Sequence, residues 1–162
     1  MPRGMIVVGM ADLNVVKAPG VLTTLGLGSC VGIALYDQTN KIAGLAHIML
    51  PDSKAIQNNS NVAKFADTAI DKLIADMEKM GAKRTAIIAK LAGGAQMFAF
   101  SATNDSLRVG DRNVEAVKRM LAKLRIPIKG EETGASFGRT VELYAEDGRF
   151  VIKAIGQELR TL

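Results

Sequence analysis

Residues 30–50 read CVGIALYDQTNKIAGLAHIML, a pattern that predicts a β-hairpin. Two apolar runs, residues 30–36 and 42–50, flank the polar segment Asp37-Gln38-Thr39-Asn40-Lys41, whose composition is typical of a turn. Short apolar runs bounded by turn residues are typical of strands. We therefore expect two adjacent antiparallel strands, which carry the only cysteine and the only histidine of the chain.

Further strand candidates lie on both sides of this hairpin. They are short, bounded by turn residues, and mostly rich in Val, Ile, Leu and Thr. They cover residues 5–10, 14–17, 21–27, 86–91, 141–145 and 150–155. The last two are joined by Glu146-Asp147-Gly148-Arg149, in which Asp-Gly is a strong hairpin signal.

Two segments have the apolar periodicity of amphipathic helices. The first covers residues 62–77, with Ser60 or Asn61 as the candidate N-cap and Gly81 at the C-terminal end. The second covers about residues 113–124. Such helices need a sheet face to cover, and the strands are numerous enough for two sheets. We predict an α+β fold in one domain over residues 1–162: a layered α-β-β sandwich of two packed, mainly antiparallel sheets with the two main helices on one face.

Composition limits the class of protein. The chain has 162 residues, 48% of them hydrophobic and 23% charged, as in ordinary globular domains. One cysteine forms no internal disulfide, which fits a reducing compartment. The N-terminus lacks the layout of a signal peptide, and no apolar run approaches the roughly 20 residues that span a bilayer. We expect a cytoplasmic, monomeric protein without membrane insertion.

The net charge of +5 raises the question of a nucleic-acid partner. Basic and acidic residues are interspersed, however, and aromatic residues are 4% of the chain with no tryptophan, which leaves little for stacking on bases. We expect no nucleic-acid binding. An acidic protein partner explains the basic balance at least as well.

Cys30 and His47 are together the smallest set of side chains that makes a covalent nucleophile at neutral pH. The imidazole takes the thiol proton, the thiolate attacks a carbonyl, and the imidazolium protonates the leaving group. The alternative is structural, because a free cysteine often packs as a small hydrophobic residue and a lone histidine in an apolar run is commonly a core residue. Geometry has to distinguish the two.

Turn length decides whether these side chains meet. With a loop of two residues, Gln38-Thr39, or of four, residues 37–40, Cys30 lies directly opposite His47. Directly opposed residues have Cβ atoms about 4.5–5.5 Å apart, close enough for a thiol–imidazole contact. A loop of odd length would place the two side chains on opposite faces. We predict the facing arrangement.

A third group should orient the imidazole, and Thr24 and Ser29 are the nearby hydroxyls. An extended chain from Thr24 to Cys30 would span about 20 Å, so it must bend at Gly26 and Gly28. These glycines either bring backbone N–H groups to a substrate carbonyl or make a simple turn. No dinucleotide or Walker A motif is present, and one histidine with one cysteine is not a zinc set. We expect no cofactor and no metal.

Two linked motifs resemble a known signature. Residues 23–31, Thr-Thr-Leu-Gly-Leu-Gly-Ser-Cys-Val, and residues 46–53, Ala-His-Ile-Met-Leu-Pro-Asp-Ser, closely resemble the CheD family of chemoreceptor glutamine deamidases. The similarity covers nearly the whole chain. It continues through residues 65–69, 81–83, 92–98, 110–113, 132–134 and 138–139.

This resemblance implies a cysteine hydrolase acting on protein glutamine through a thioester. Cys30 would be the nucleophile, His47 the base and Thr24 the third member of the triad, with backbone N–H groups near Gly28 and Ser29 as oxyanion or substrate-loop candidates. The implied substrate is the cytoplasmic domain of a chemoreceptor, and a CheC-type phosphatase is the implied partner. The implied fold is similar to the catalytic domain of cytotoxic necrotizing toxins.

Three alternatives stay open. The same nucleophile could cleave a receptor glutamyl methyl ester, because acyl transfer to sulfur tolerates either leaving group. The chain could act as a non-catalytic binding module that regulates a CheC-type phosphatase. A structural protein with a buried cysteine would resist thiol reagents in its native state.

Overall fold

Two mixed sheets and two helices are present in the computed structural model, which describes residues 5–96 and 108–162. The strands are β1 Met5–Val7, β2 Asp12–Lys17, β3 Val21–Leu27, β4 Val31–Asp37, β5 Ile42–Ile48, β6 Ile87–Gly93, β7 Ile128–Thr133, β8 Arg139–Tyr144, β9 Phe150–Lys153 and β10 Arg160–Thr161. The helices are α1 Ala66–Lys79 and α2 Val109–Lys123. Short 3₁₀ turns cover Ser53–Ala55, Val62–Lys64 and Arg84–Ala86.

The strands form an outer sheet, in the order β1-β3-β8-β9-β10, and a central sheet, in the order β2-β5-β4-β6-β7. Within the described ranges, every neighbouring pair is antiparallel except β1–β3 and β6–β7. The prediction of an α+β fold with two packed, mainly antiparallel sheets is confirmed.

The central sheet is buried on both faces. All residues of β4 and β5 are buried, and alternate residues enter two separate cores. Ile33 and Leu35 pack in the core that contains α1 and α2, whereas Ala34 and Tyr36 pack in the intersheet core against the outer sheet. The helices therefore cover one face of the central sheet, and the predicted α-β-β layering is confirmed.

The predicted register of the β4–β5 hairpin is wrong by two residues. Pairing runs from Asp37 with Ile42 to Val31 with Ile48, so Gly32 rather than Cys30 lies opposite His47. The turn therefore consists of residues 38–41. The shift is an even number, so Cys30 and His47 still belong to the same face of the sheet.

The side chain of Asp37 explains this turn. Its carboxylate accepts hydrogen bonds from the Asn40 backbone N–H (3.1 Å), the Asn40 side-chain amide (2.8 Å) and the Lys83 N–H (2.9 Å). Lys41 completes the loop with a φ of 52°. These contacts stabilise a four-residue loop closed by the Asp37–Ile42 pair.

Helix α1 begins four residues later than predicted, at Ala66. Val62–Lys64 form a 3₁₀ turn, in which the Asn61 side chain accepts from the Ala63 N–H. The fully buried Phe65 then adopts an extended conformation and bridges to Leu50 after β5. Pairing with the end of β5 therefore delays the helix. Its C-terminal end agrees with the prediction, since Gly81 follows with a φ of 110°.

Helix α2 begins four residues before the predicted start, at Val109, so Asn113 lies in its second turn. The strand candidates at 86–91, 141–145 and 150–155 correspond to β6, β8 and β9, whereas β7 and β10 were not predicted. In the described part of the chain, no helix is long and apolar enough to cross a membrane.

Candidate active site

The glycine segment at the end of β3, residues 26–28, carries the chain from the outer sheet to the central sheet. Gly26 has a φ of 68°, a conformation that glycine adopts without strain, and the Gly28 N–H donates to the Gly26 carbonyl at 3.0 Å. The bend that was predicted at these glycines is therefore present. Thr24 consequently lies in the outer sheet, whereas Cys30 immediately precedes β4 of the central sheet.

Thr24 and His47 meet between the two sheets. The Thr24 Oγ1 lies 2.7 Å from the His47 Nδ1 and donates to the Val8 carbonyl at 2.7 Å. A hydroxyl has one proton, which here goes to Val8, so Oγ1 accepts from an Nδ1–H. The ring proton therefore sits on Nδ1, and Nε2 carries the free lone pair.

The contact between Thr24 and His47 is buried away from solvent. Thr24 is 0% and His47 is 1% exposed, and within the described residues the His47 Nε2 has no hydrogen-bond partner. An unpaired buried nitrogen costs free energy, and such groups in native structures call for an explanation. A proton acceptor held ready for a nearby thiol is one such explanation.

Cys30 lies on the same face as His47 without a hydrogen bond between them. His47 pairs with Gly32, and Cys30 is two residues earlier, which makes the two side chains diagonal neighbours in the intersheet layer. Cys30 is 8% exposed. Catalytic hydrogen bonds are often long before substrate binds, so this separation is compatible with a nucleophile and its base.

Both groups favour their neutral forms. Burial raises the pKa of the Cys30 thiol, an effect that its own backbone N–H partly opposes. Burial also lowers the pKa of the His47 imidazole. Both shifts therefore act in the same sense, toward an uncharged thiol and an uncharged imidazole.

Backbone contacts distinguish the oxyanion candidates. The Gly28 N–H is already bonded within the glycine turn, and the Gly28 carbonyl accepts from the Ala95 N–H at 2.8 Å. No backbone carbonyl of the described residues accepts a hydrogen bond from the Ser29 or the Cys30 N–H, and the Cys30 N–H faces its own thiol. Of the Gly28–Cys30 amides, the Ser29 and Cys30 N–H groups therefore remain the oxyanion candidates within the described residues.

Two polar residues outside the predicted set hold the site's backbone. The buried Asn113 side chain on α2 contacts the main chain at Ser29, and the buried Arg139 guanidinium forms an ion pair with Glu132. Arg139 also donates to the Gly93 carbonyl (3.4 Å) and the Gly134 carbonyl (3.0 Å). Both belong to segments quoted above for the family resemblance, which was the signal available for them. The last two residues of one such segment, Met97 and Phe98, lie outside the described residues.

Two grooves of the described surface do not include the thiol. One of about 300 Å³ includes Gly26 together with residues 137–140 and 153–155. A second of about 430 Å³ is lined by Glu132, Phe137 and the segment 157–160, among others. Neither is lined by Cys30 or His47, as expected for side chains this deeply buried.

Comparison with known proteins identifies the family. The model of "CheD chemotactic sensory transduction" matches residues 49–154. A probable chemoreceptor glutamine deamidase CheD from Lachnoclostridium phytofermentans is 58% identical over 153 residues, 94% of this chain and 95% of that protein. The chemoreceptor glutamine deamidase CheD of Halalkalibacterium halodurans is 55% identical over 151 residues, 93% of each chain.

A crystal structure of the Bacillus licheniformis hypothetical protein YfiH is similar at a TM-score of 0.45 and 16% identity, covering 75% of this chain and 50% of that one. This match is not to a toxin domain, and the expected likeness to the toxins stays a prediction. The family itself is settled by the sequence matches along the chain. The chain belongs to the CheD family.

Proposed function

We propose that this chain is a chemoreceptor glutamine deamidase that converts receptor glutamine side chains to glutamate and releases ammonia. The observation that carries the proposal is the chain of contacts from the Val8 carbonyl through Thr24 to the His47 Nδ1. It fixes the ring so that a bare Nε2 remains on the face that Cys30 shares. That is the role of the third member of a nucleophile–base–orienter triad.

In the proposed mechanism, the His47 Nε2 takes the Cys30 proton as Sγ attacks the side-chain amide carbon of glutamine. The C–N bond then breaks, and the imidazolium gives its proton to the departing nitrogen, which leaves as ammonia. A thioester between Cys30 and the former glutamine side chain remains. Water, deprotonated by the same Nε2, attacks the thioester; the C–S bond breaks, the sulfur recovers a proton, and glutamate is released.

The tetrahedral intermediates of both steps carry an oxyanion. The Ser29 and Cys30 N–H groups are the proposed donors, since Gly28 is bonded within its turn. One oxyanion donor is typically worth about 3 kcal/mol of transition-state stabilisation. The glycine segment would thus place both the nucleophile and its oxyanion site.

The proposed substrate is a glutamine on an exposed helix of the receptor's cytoplasmic domain. Such a side chain is long and flexible enough to enter a narrow cleft without unfolding its helix, and a net charge of +5 suits an acidic receptor surface. The proposal includes a cytoplasmic, monomeric, single-domain protein without cofactor. A CheC-type phosphatase is its proposed regulatory partner.

Mass spectrometry of a receptor cytoplasmic fragment tests the reaction. We expect glutamine-to-glutamate conversion at discrete sites with the wild-type protein and none with Cys30→Ala. Hydroxylamine added during turnover should intercept the thioester and give a glutamyl hydroxamate. Absence of conversion by folded wild-type protein on its receptor would refute deamidation.

The two functional alternatives are separated by further substrates and variants. A methylesterase would turn over a receptor glutamyl methyl ester faster than the corresponding amide. A binding module would leave receptor signalling unchanged when Cys30→Ala replaces the wild type in cells. Deamidation predicts turnover of the amide itself, and altered receptor signalling when Cys30→Ala replaces the wild type.

A further inference from the structure

Asn113 bridges the two chain segments that carry the proposed nucleophile and base. Its side-chain Nδ2 donates to the Ser29 carbonyl at 2.9 Å and to the Met49 carbonyl at 2.9 Å. Ser29 directly precedes Cys30, and Met49 follows His47 by two positions. The buried Asn113 amide, 0% exposed, therefore contacts the main chain both next to Cys30 and close to His47.

These carbonyls lie at the open end of the β4–β5 hairpin. The strand pairing ends at Val31 with Ile48, so neither Ser29 nor Met49 is held by the hairpin ladder. The opposite end is closed by the turn that Asp37 stabilises. Each segment has other main-chain contacts, since the Gly94 N–H donates to the Cys30 carbonyl and the Met49 N–H donates to the Lys64 carbonyl, both at 2.8 Å. Asn113 is the residue that joins the two segments to each other.

An amide is chemically suited to this bridge. An NH₂ group offers two protons, one for each carbonyl, whereas a carboxylate of the same shape offers none. The Asn113 Oδ1 is buried without a partner among the described residues, at a cost of about 1–3 kcal/mol for an unsatisfied group. An asparagine in this position thus has an energetic cost that an apolar residue would avoid. The two hydrogen bonds from its amide to the Ser29 and Met49 carbonyls are what offsets that cost.

Helix α2 approaches the same backbone through its first turn. A Cβ on Gly110 would lie 2.6 Å from the Gly94 carbonyl oxygen, so only glycine permits this approach. Gly94 in turn donates its N–H to the Cys30 carbonyl at 2.8 Å. The helix that carries Asn113 is therefore seated directly against the segment that holds the Cys30 main chain.

We propose that Asn113 is a positioning residue that sets the separation between Cys30 and His47 by joining Ser29 to Met49. This rests on the proposed function for its catalytic meaning. Misplacement of a reacting group by about 1 Å can cost on the order of 100-fold in rate. Loss of the bridge should therefore lower kcat by about 100-fold and leave KM nearly unchanged.

The test uses Asn113→Asp, which keeps the shape but removes both donors, and Asn113→Ala, which avoids a buried charge. Asp37→Asn is the matched control, because it alters the buried polar group at the other end of the same hairpin. Deamidation kinetics, the folded fraction at the assay temperature, and the pH dependence of Cys30 alkylation by iodoacetamide are measured for each, together with His47→Ala.

We expect the Asn113 variants to lose the part of the alkylation profile that depends on His47, so that their profile matches that of His47→Ala. Asp37→Asn should lower the melting temperature and keep the wild-type profile and kcat. A folded Asn113 variant with kcat within about threefold of wild type would overturn the proposal. So would two variants too unfolded to assay, since Asn113 would then determine the fold rather than the site.

The alkylation measurement separates this proposal from the proposed function. If the wild-type protein converts no glutamine, deamidation fails, and the comparison of alkylation profiles still decides whether Asn113 couples the thiol to the ring. If the wild type is active but the Asn113 variants have wild-type profiles, only the positioning role is refuted.

Discussion

Replacing Thr24 with valine tests the orientation of the imidazole with little change in shape. In the native site, the Thr24 Oγ1 accepts from the His47 Nδ1 at 2.7 Å and donates to the Val8 carbonyl at 2.7 Å. Valine supplies neither group. The ring then loses the acceptor on its Nδ1, and in the proposed mechanism the positive charge that forms on the ring during attack loses a buried hydrogen bond.

The size of the effect follows from that charged state. A hydrogen bond to a charged group contributes about 1.5–3 kcal/mol. At about 1.4 kcal/mol per factor of ten, Thr24→Val should reduce kcat by about 10- to 150-fold. Cys30→Ala should abolish turnover instead, because it removes the sulfur of the proposed nucleophile.

Thr23→Val is the matched control. Thr23 is the neighbouring residue on β3, is also buried, and donates its hydroxyl to the Val141 carbonyl at 2.8 Å without contacting His47. Both valine variants lose a buried hydrogen bond, so both should be less stable in urea unfolding, and only Thr24→Val should be slow. Thr24→Ser, which restores the hydroxyl, should recover most of the activity.

Initial rates of ammonia release from a receptor fragment, corrected for the folded fraction, provide the assay. Equal activity of the two valine variants would refute the argument that Thr24 orients the ring. A Thr24→Val variant as inactive as Cys30→Ala would also contradict it, because an orienting contact is worth less than the nucleophile.

Three further predictions concern titration, reactivity and packing. Burial lowers the pKa of His47, so the folded chain binds this proton more weakly than the unfolded chain does. The unfolding free energy should therefore fall as the pH drops below about 6.5, by up to about 1.4 kcal/mol per pH unit. Urea titrations should show a smaller fall for His47→Gln. Burial raises the pKa of Cys30, so iodoacetamide should label the native thiol more slowly at neutral pH than it labels the unfolded one, although labelling should reach completion. A native thiol that never reacts would support the alternative of a structural cysteine. Arg139→Met removes the buried partner of the part-exposed Glu132 and leaves it the exposed Arg160 at 3.6 Å, so it should cost about 3 kcal/mol in chemical denaturation, against at most about 1 kcal/mol for Lys118→Met at an exposed ion pair.

The two apolar runs predicted the strands β4 and β5, but composition did not predict their register. The register depends on the hydrogen bonds that the Asp37 carboxylate accepts from Asn40 and Lys83. Lys83 is distant in sequence, so the local pattern does not indicate this contact. Helix α1 was extended too far toward the N-terminus for a similar reason, since Phe65 pairs with Leu50. Strand β7 was missed because its sequence, IKGEET, is polar and lies at the edge of the central sheet.

The candidate site was predicted unevenly. The prediction that Cys30 and His47 lie on the same face of the sheet followed from the two-residue alternation of side chains along β-strands. The contact between Thr24 and His47 joins two sheets, which no spacing along the chain can indicate, and only the family resemblance had placed Thr24 beside the ring. Asn113 had been placed at the start of a helix, and its part in the site depends on how α2 docks.

The candidate site lies between the two sheets, with the His47 ring on the central sheet and the Thr24 hydroxyl that contacts it on the outer sheet. The reaction rate should therefore depend on how the two sheets pack together as well as on the side chains at the site. Apolar substitutions at Leu22 or Val141, in the intersheet core, can shift the sheets relative to each other and change the rate without touching a reacting atom. On gradual denaturation, detachment of the outer sheet would extinguish activity while the central hairpin still holds its thiol and imidazole on one face.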